Sequence, residues 1–133
     1  MANAIRYCMT EESHDGENAF IIARPSIFGN PYTNIKGRKT LAEIKVRSRH
    51  KAVELYDKYF DEMLEKDEDF RNAFDRMYKA FKTYDAIYIG CYCQLDEECH
   101  GDIIIKKLNQ RLVKEKLKEL RRNGKKKKEE GTT

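Results

Sequence analysis

Two hydrophobic rhythms run along the chain. Short apolar stretches rich in β-forming residues occur at Ala4–Met9 (AIRYCM), Ala19–Ala23 (AFIIA) and Ala86–Ile89 (AIYI). Each is too short for a helix and predicts a strand, the second and third of them buried. Between the second and third strands the apolar period lengthens. Val46, Val53, Tyr56, Phe60, Met63 and Leu64, widened by Ala52, Leu55 and Tyr59, repeat at helical spacing, as do Phe70, Ala73, Phe74, Met77, Tyr78 and Phe81. Both stripes predict amphipathic helices. Thr40-Leu41-Ala42-Glu43 has the form of a capping box that would open the first helix, with a break around Arg47–Arg49. Lys66–Asp69 separates the two and supplies acids suited to a helix N-terminus. A last helix is expected from near Asp102, carrying Ile104, Ile105, Leu108, Leu112, Leu117 and Leu120 among lysines and arginines, with a stop at Asn123-Gly124.

The order β-β-α-α-β-α predicts an α/β fold: a small, at least partly parallel sheet of three or four strands with packed helices. The reading is one domain over residues 1–122, ending in a long basic helix, and a disordered Lys-rich tail over 123–133.

Composition adds an asymmetry. The formal net charge of +4 is concentrated late: Lys106–Lys128 holds twelve Lys or Arg against two Glu, and the rest of the chain is mildly acidic. The basic last helix therefore permits contact with nucleic acid or a host protein. No apolar run approaches the roughly 18 residues a membrane span needs, so the expectation is a cytoplasmic protein without a membrane partner. There, four cysteines are expected to be thiols, metal ligands or catalytic groups rather than disulfides.

Candidate chemistry gathers at Ala86–Ile105, where a strand gives way to a loop and then to a helix start. Three of the four cysteines lie within nine residues, Cys91, Cys93 and Cys99, followed directly by His100, Gly101 and Asp102. Strand, loop and helix start place such groups at the carboxyl end of a strand, where open α/β sheets bind ligands. Three kinds of chemistry fit. Cys91, Cys93, Cys99 and His100 offer the thiolate and imidazole ligands zinc prefers, although C-x-C-x5-C-H is not a common structural zinc spacing. Cys93 or Cys99 could act as a reactive thiolate, with His100 or His14 as base and Asp102 beside it. Alternatively, Gly101 and the helix start could hold a phosphate, with Arg24 supplying a guanidinium from the turn that also contains Ser26, Gly29 and Asn30.

The blocks Arg24-Pro25-Ser26-x-x-Gly29-Asn30-Pro31-Tyr32, Gly90-Cys91-Tyr92-Cys93 and Cys99-His100-Gly101-Asp102 resemble a domain-of-unknown-function family found in bacteriophages and bacteria. The resemblance spans about Ala19 to Leu108. It implies a phage-type or bacterial cytoplasmic protein, in the host cytoplasm if phage-encoded. It also points to Arg24, Gly29, Asn30, Cys91, Cys93, Cys99, His100 and Asp102 as one composite site. Tyr92 stands where the family often has Trp. The leading expectation is a domain that binds, or binds and acts on, a phosphate-bearing, nucleotide-like ligand at a Cys/His/Asp pocket. The alternative is a non-enzymatic phage effector that uses its basic C-terminal helix, with the cysteine cluster structural or zinc-binding.

Overall fold

The computed structural model describes residues 3–23, 26–33, 44–45, 48–93 and 95–130, with the backbone alone at 32–33, 44–45 and 125–130. The elements follow as β1 (Ala4–Cys8), β2 (Ala19–Ile21), β3 (Tyr32–Thr33), β4 (Ile44–Lys45), α1 (Arg49–Lys66), α2 (Glu68–Thr83), β5 (Ile87–Cys91) and α3 (His100–Glu130). The main sheet has three strands in the order β1-β5-β2, both pairings parallel. The α/β fold and the element order expected from periodicity are therefore present. The two-residue strands β3 and β4, paired with each other in parallel, had no signal of their own.

The last strand of the sequence lies in the middle of the sheet, between β1 and β2. Because β1 and β2 are parallel and not adjacent, the chain between them must run back along the sheet rather than form a hairpin. That segment covers the face away from the helices. His14 stacks on Tyr88 with ring centroids 3.9 Å apart and meets Tyr7 edge-on at 4.6 Å. On β5 the alternation of side chains sends Ile87, Ile89 and Cys91, all buried, to the helical face. Gly90 does not end this strand, as its turn-forming character suggested. The Tyr7 ring lies across it, and a Cβ there would stand 2.6 Å from Tyr7 Oη, so glycine admits the close approach and the ladder continues to Cys91.

Helices α1 and α2 form a hairpin joined by the single residue Asp67. Its backbone N–H closes α1 on Met63 O at 2.9 Å while its carboxylate accepts the Phe70 N–H at 3.0 Å and caps α2. The aromatic stripe predicted for both helices is the core: Phe60 meets Phe70 and Phe74 edge-on at 4.9 and 5.0 Å. Helix α1 starts at Arg49, later than the periodicity suggested. The Ser48 hydroxyl caps it by accepting the Lys51 N–H at 3.1 Å, and Ile44–Lys45 is strand instead of helix. The Thr40–Glu43 capping box lies outside the described residues.

Helix α3 crosses the sheet with Ile104 and Leu108 fully buried. Lys107 reaches Asp57 and, at 2.9 Å, Asp61. Arg111 bonds Asp75 at 2.7 Å beneath the Tyr78 ring. Glu115, hydrogen-bonded by Tyr78 and by Lys82 at 2.8 Å, is the last of the described side chains of α3 tied to the body. The helix then continues through Asn123-Gly124 to Glu130, which corrects the expected stop. One glycine costs a helix about 1 kcal/mol, and the lysines and arginines around it are good helix formers. Among the described residues no helix is long and apolar enough to cross a membrane.

Candidate functional site

The carboxyl end of β5 and the first turn of α3 meet over β1. Parallel pairing sets Cys8 beside Cys91 and Arg6 beside Ile89, so Arg6 lies on the helical face, under the start of α3. Gly101 makes this approach feasible. A Cβ there would meet Ile22 Cδ1 at 3.0 Å and Arg6 Cδ at 3.1 Å.

The chain turns after Cys91 and returns at Cys99, bringing three sulfurs together. The Sγ atoms of Cys91, Cys93 and Cys99 all lie within 4.8 Å of one another, and those of Cys91 and Cys99 are 3.4 Å apart. For a tetrahedral ion with Zn–S bonds of about 2.3 Å the ligand–ligand separation is roughly 3.8 Å, so the three thiols stand close to a coordinating arrangement. Cys91 and Cys99 are buried and Cys93 is partly exposed, which leaves Cys93 as the open edge of the group.

The surroundings favour negative sulfur. Cys99 is the N-cap of α3: its Sγ accepts the Gly101 N–H at 3.3 Å, while Asp102, three residues on, accepts the Cys99 N–H at 3.3 Å. This is a variant of the capping box, with sulfur in place of a hydroxyl and the second rather than the third helical N–H as its donor. Hydrogen bonding with the Cys91 and Cys93 thiols, then the Gly101 N–H and Arg6, holds the Cys99 thiol well below its ordinary pKa, against the opposing effect of burial. Cys91 is pushed the other way, by its hydrogen bonds to Cys93 and Cys99 and by burial. Around this cluster sit two guanidiniums. Arg49 Nη1 donates to Cys93 Sγ at 3.3 Å and to Glu98 O at 3.3 Å, with Nη2 2.9 Å from Glu97. Arg6 donates to Leu95 O at 2.7 Å and faces Asp102 at 3.5 Å. Both tie the 95–98 loop, and hence the sulfurs, to the rigid elements.

His100 Nε2 lies 2.8 Å from the Ile22 carbonyl. A carbonyl only accepts, so Nε2 carries a proton. Nδ1 sits 3.7 Å from Cys99 Sγ. His100 is thus beside the cluster without belonging to the mutually close trio, because the Ile22 bond and the edge-on Tyr56 ring at 5.0 Å fix its plane.

The sequence expectations are met unevenly. Cys91, Cys93, Cys99, His100, Gly101 and Asp102 do come together at the end of the central strand. The phosphate-holding roles do not assemble in the same way. The Gly101 N–H holds the Cys99 sulfur, the Ser26 hydroxyl accepts the Phe28 N–H at 3.1 Å, Gly29 N–H closes the same turn on Ser26 O at 2.8 Å, and Asn30 donates to Ala52 O on α1 at 3.2 Å. Arg24 lies outside the described residues. Cys8 bonds Thr10 Oγ1 at 3.0 Å and His14 pairs with Glu12 at 3.1 Å; neither joins the trio. Arg6 and Arg49 went unrecognised in the sequence. The parity of β1, which aligns Arg6 with the inward Ala4, was the available signal for the first. The second falls in Arg47–Arg49, read only as a break in the helix.

A family profile described as a domain of unknown function, DUF4326, matches residues 5–110. No curated protein and no solved structure matches the chain. The matched span covers most of the chain and contains every residue of the cysteine cluster, and the chain belongs to that family.

Proposed function

We propose that this member of the DUF4326 family is a zinc-holding, ligand-binding domain, with Cys91, Cys93 and Cys99 as the protein ligands and a fourth position open toward the Cys93 side. The observation that carries this reading is the convergence of three sulfurs within 4.8 Å at a helix N-terminus. Thiolate ligands suit soft or borderline cations, and four-coordinate sulfur-rich geometry suits zinc above the hard divalent ions. Three protein ligands and an open position are what a zinc ion needs in order to receive a water or a substrate atom. Three thiolates on one dication leave a net negative charge. Arg6 and Arg49, both already directed at the cluster, and the start of α3 compensate for it.

The ligand class we assign is phosphate-bearing and nucleotide-like. Its support is the placement of the cluster at the carboxyl end of a parallel strand flanked on both sides, next to the half-exposed Arg49 guanidinium. Cobalt(II) titration tests the metal reading. Sulfur ligation gives an intense thiolate-to-cobalt charge-transfer band, expected with the native chain and weakened in each single Cys→Ser variant at positions 91, 93 and 99. Absence of the band would refute it. Thermal shifts of the metal-loaded protein with nucleotides and with inorganic phosphate test the ligand class, and no shift with any of them would refute that part alone.

A further inference from the structure

Helix α3 outlasts the body it packs on. Leu112 is still half-buried against the core, Glu115 makes the last tie among the described side chains, and every residue from 116 to 124 is exposed. Three exposed branched apolar side chains nonetheless occur from Val113 onward, Val113, Leu117 and Leu120, exposed by 56, 48 and 66%. Their spacing of four and then three residues, at about 100° per residue, places them within an arc of roughly 60° on one side of the helix. The open position Gly124, with nothing within 4 Å, continues the same line. This is the d-a-d-a seam of a coiled coil, narrower than the broad apolar face of a helix that packs on a globular core or lies in a lipid interface.

The charges beside the seam have one sign. On the same helical projection Lys114 and Arg121 border it on one side and Lys116 on the other, while Glu115 and Glu119 lie on the far side. Two copies of this helix would set lysine and arginine against lysine and arginine in either orientation, which like-charge repulsion at flanking positions disfavours. Phosphodiester backbones would answer the charges but gain nothing from three aliphatic side chains in a row. The occupant that satisfies both features is an amphipathic helix with an apolar a/d seam and acidic flanks.

We infer that the distal part of α3, from Val113 to Gly124, is a docking strip for an acidic amphipathic helix of a partner protein. The strip is spatially and chemically separate from the cysteine cluster, so the two stand or fall independently. The test uses the full chain and a synthetic three-heptad peptide with Leu at a and d and Glu at the flanking positions, followed by fluorescence anisotropy. Saturable binding is expected. It should fall by about tenfold or more in Leu117→Gln/Leu120→Gln and in Lys116→Glu/Arg121→Glu, and be absent for the same peptide with Lys flanks. All four positions are exposed, so circular dichroism should be unchanged. The inference is overturned by failure of the acidic peptide to bind, or by binding that both double variants leave intact. It is equally overturned if Leu117 and Leu120 instead govern self-association, or adsorption to phosphatidylserine vesicles, or if duplex DNA binds in their place.

Discussion

Cys93→Ser separates a metal centre from three thiols that merely pack together. Cys93 is partly exposed, and its neighbour Arg49 Nη1, at 3.3 Å, can donate to a hydroxyl as readily as to a sulfur. Without a metal, this one-atom change at a half-buried site falls among surface-like substitutions, within about 0.5 kcal/mol. With a metal, the stabilisation at risk is the linkage term, about 4 kcal/mol when free zinc exceeds its Kd a thousandfold. A chain of this length loses roughly 3–5 °C of Tm per kcal/mol. The variant should therefore melt some 12–20 °C below the native protein in zinc-containing buffer. In excess chelator the two should melt within about 2 °C of each other, because the native chain has then lost the same term. The assay is differential scanning calorimetry on both proteins in both buffers. A deficit that persists undiminished in chelator, or no deficit in zinc, would refute the reasoning.

Other consequences follow from single contacts. Tyr56→Phe removes a buried hydroxyl that donates to the Phe28 carbonyl at 2.6 Å and strands that acceptor; the expected loss is about 1–3 kcal/mol, seen as a lower urea midpoint at unchanged m-value. Asp67→Ala removes the cap between α1 and α2 and should cost about 0.5–2 kcal/mol by the same measurement. Hydrogen bonds from Lys106 and Lys107 hold the Asp57 carboxyl below its ordinary value. Its contribution is complete above the unfolded-state pKa and is lost as pH falls through the lower folded value. Asp57→Asn should accordingly be less stable than the native chain at neutral pH, and the difference should shrink on acidification below about pH 4.

The parts of this fold that were legible in sequence are those whose pattern repeats. The stripes through Tyr56, Phe60, Phe74 and Phe81 recur often enough to fix two helices, and AIYI declares a buried strand. The central place of β5 between β1 and β2 depends on pairings about seventy and about eighty residues apart in the chain, for which no local signal exists. Strands β3 and β4 are too short to show a period. Within the site, the cysteines were legible because three reactive residues in nine are conspicuous. Arg6 and Arg49 were not, because their roles arise only once strand parity and the cap at Ser48 aim them at the 95–98 loop. Gly101 shows the opposite error. A glycine at a helix start suggested a phosphate seat, whereas the space is filled by Arg6 and Ile22 and the N–H is taken by Cys99. The blocks that carry the family resemblance fall inside the matched span, so the family was readable where the function was not.

The most direct test of the metal centre is the zinc content of the untagged protein, measured with a titration of accessible thiols. The account predicts close to one zinc per chain, with Cys91, Cys93 and Cys99 protected until chelator is added and Cys8 unaffected by it. No bound metal, with the same thiol reactivity before and after chelation, would contradict it.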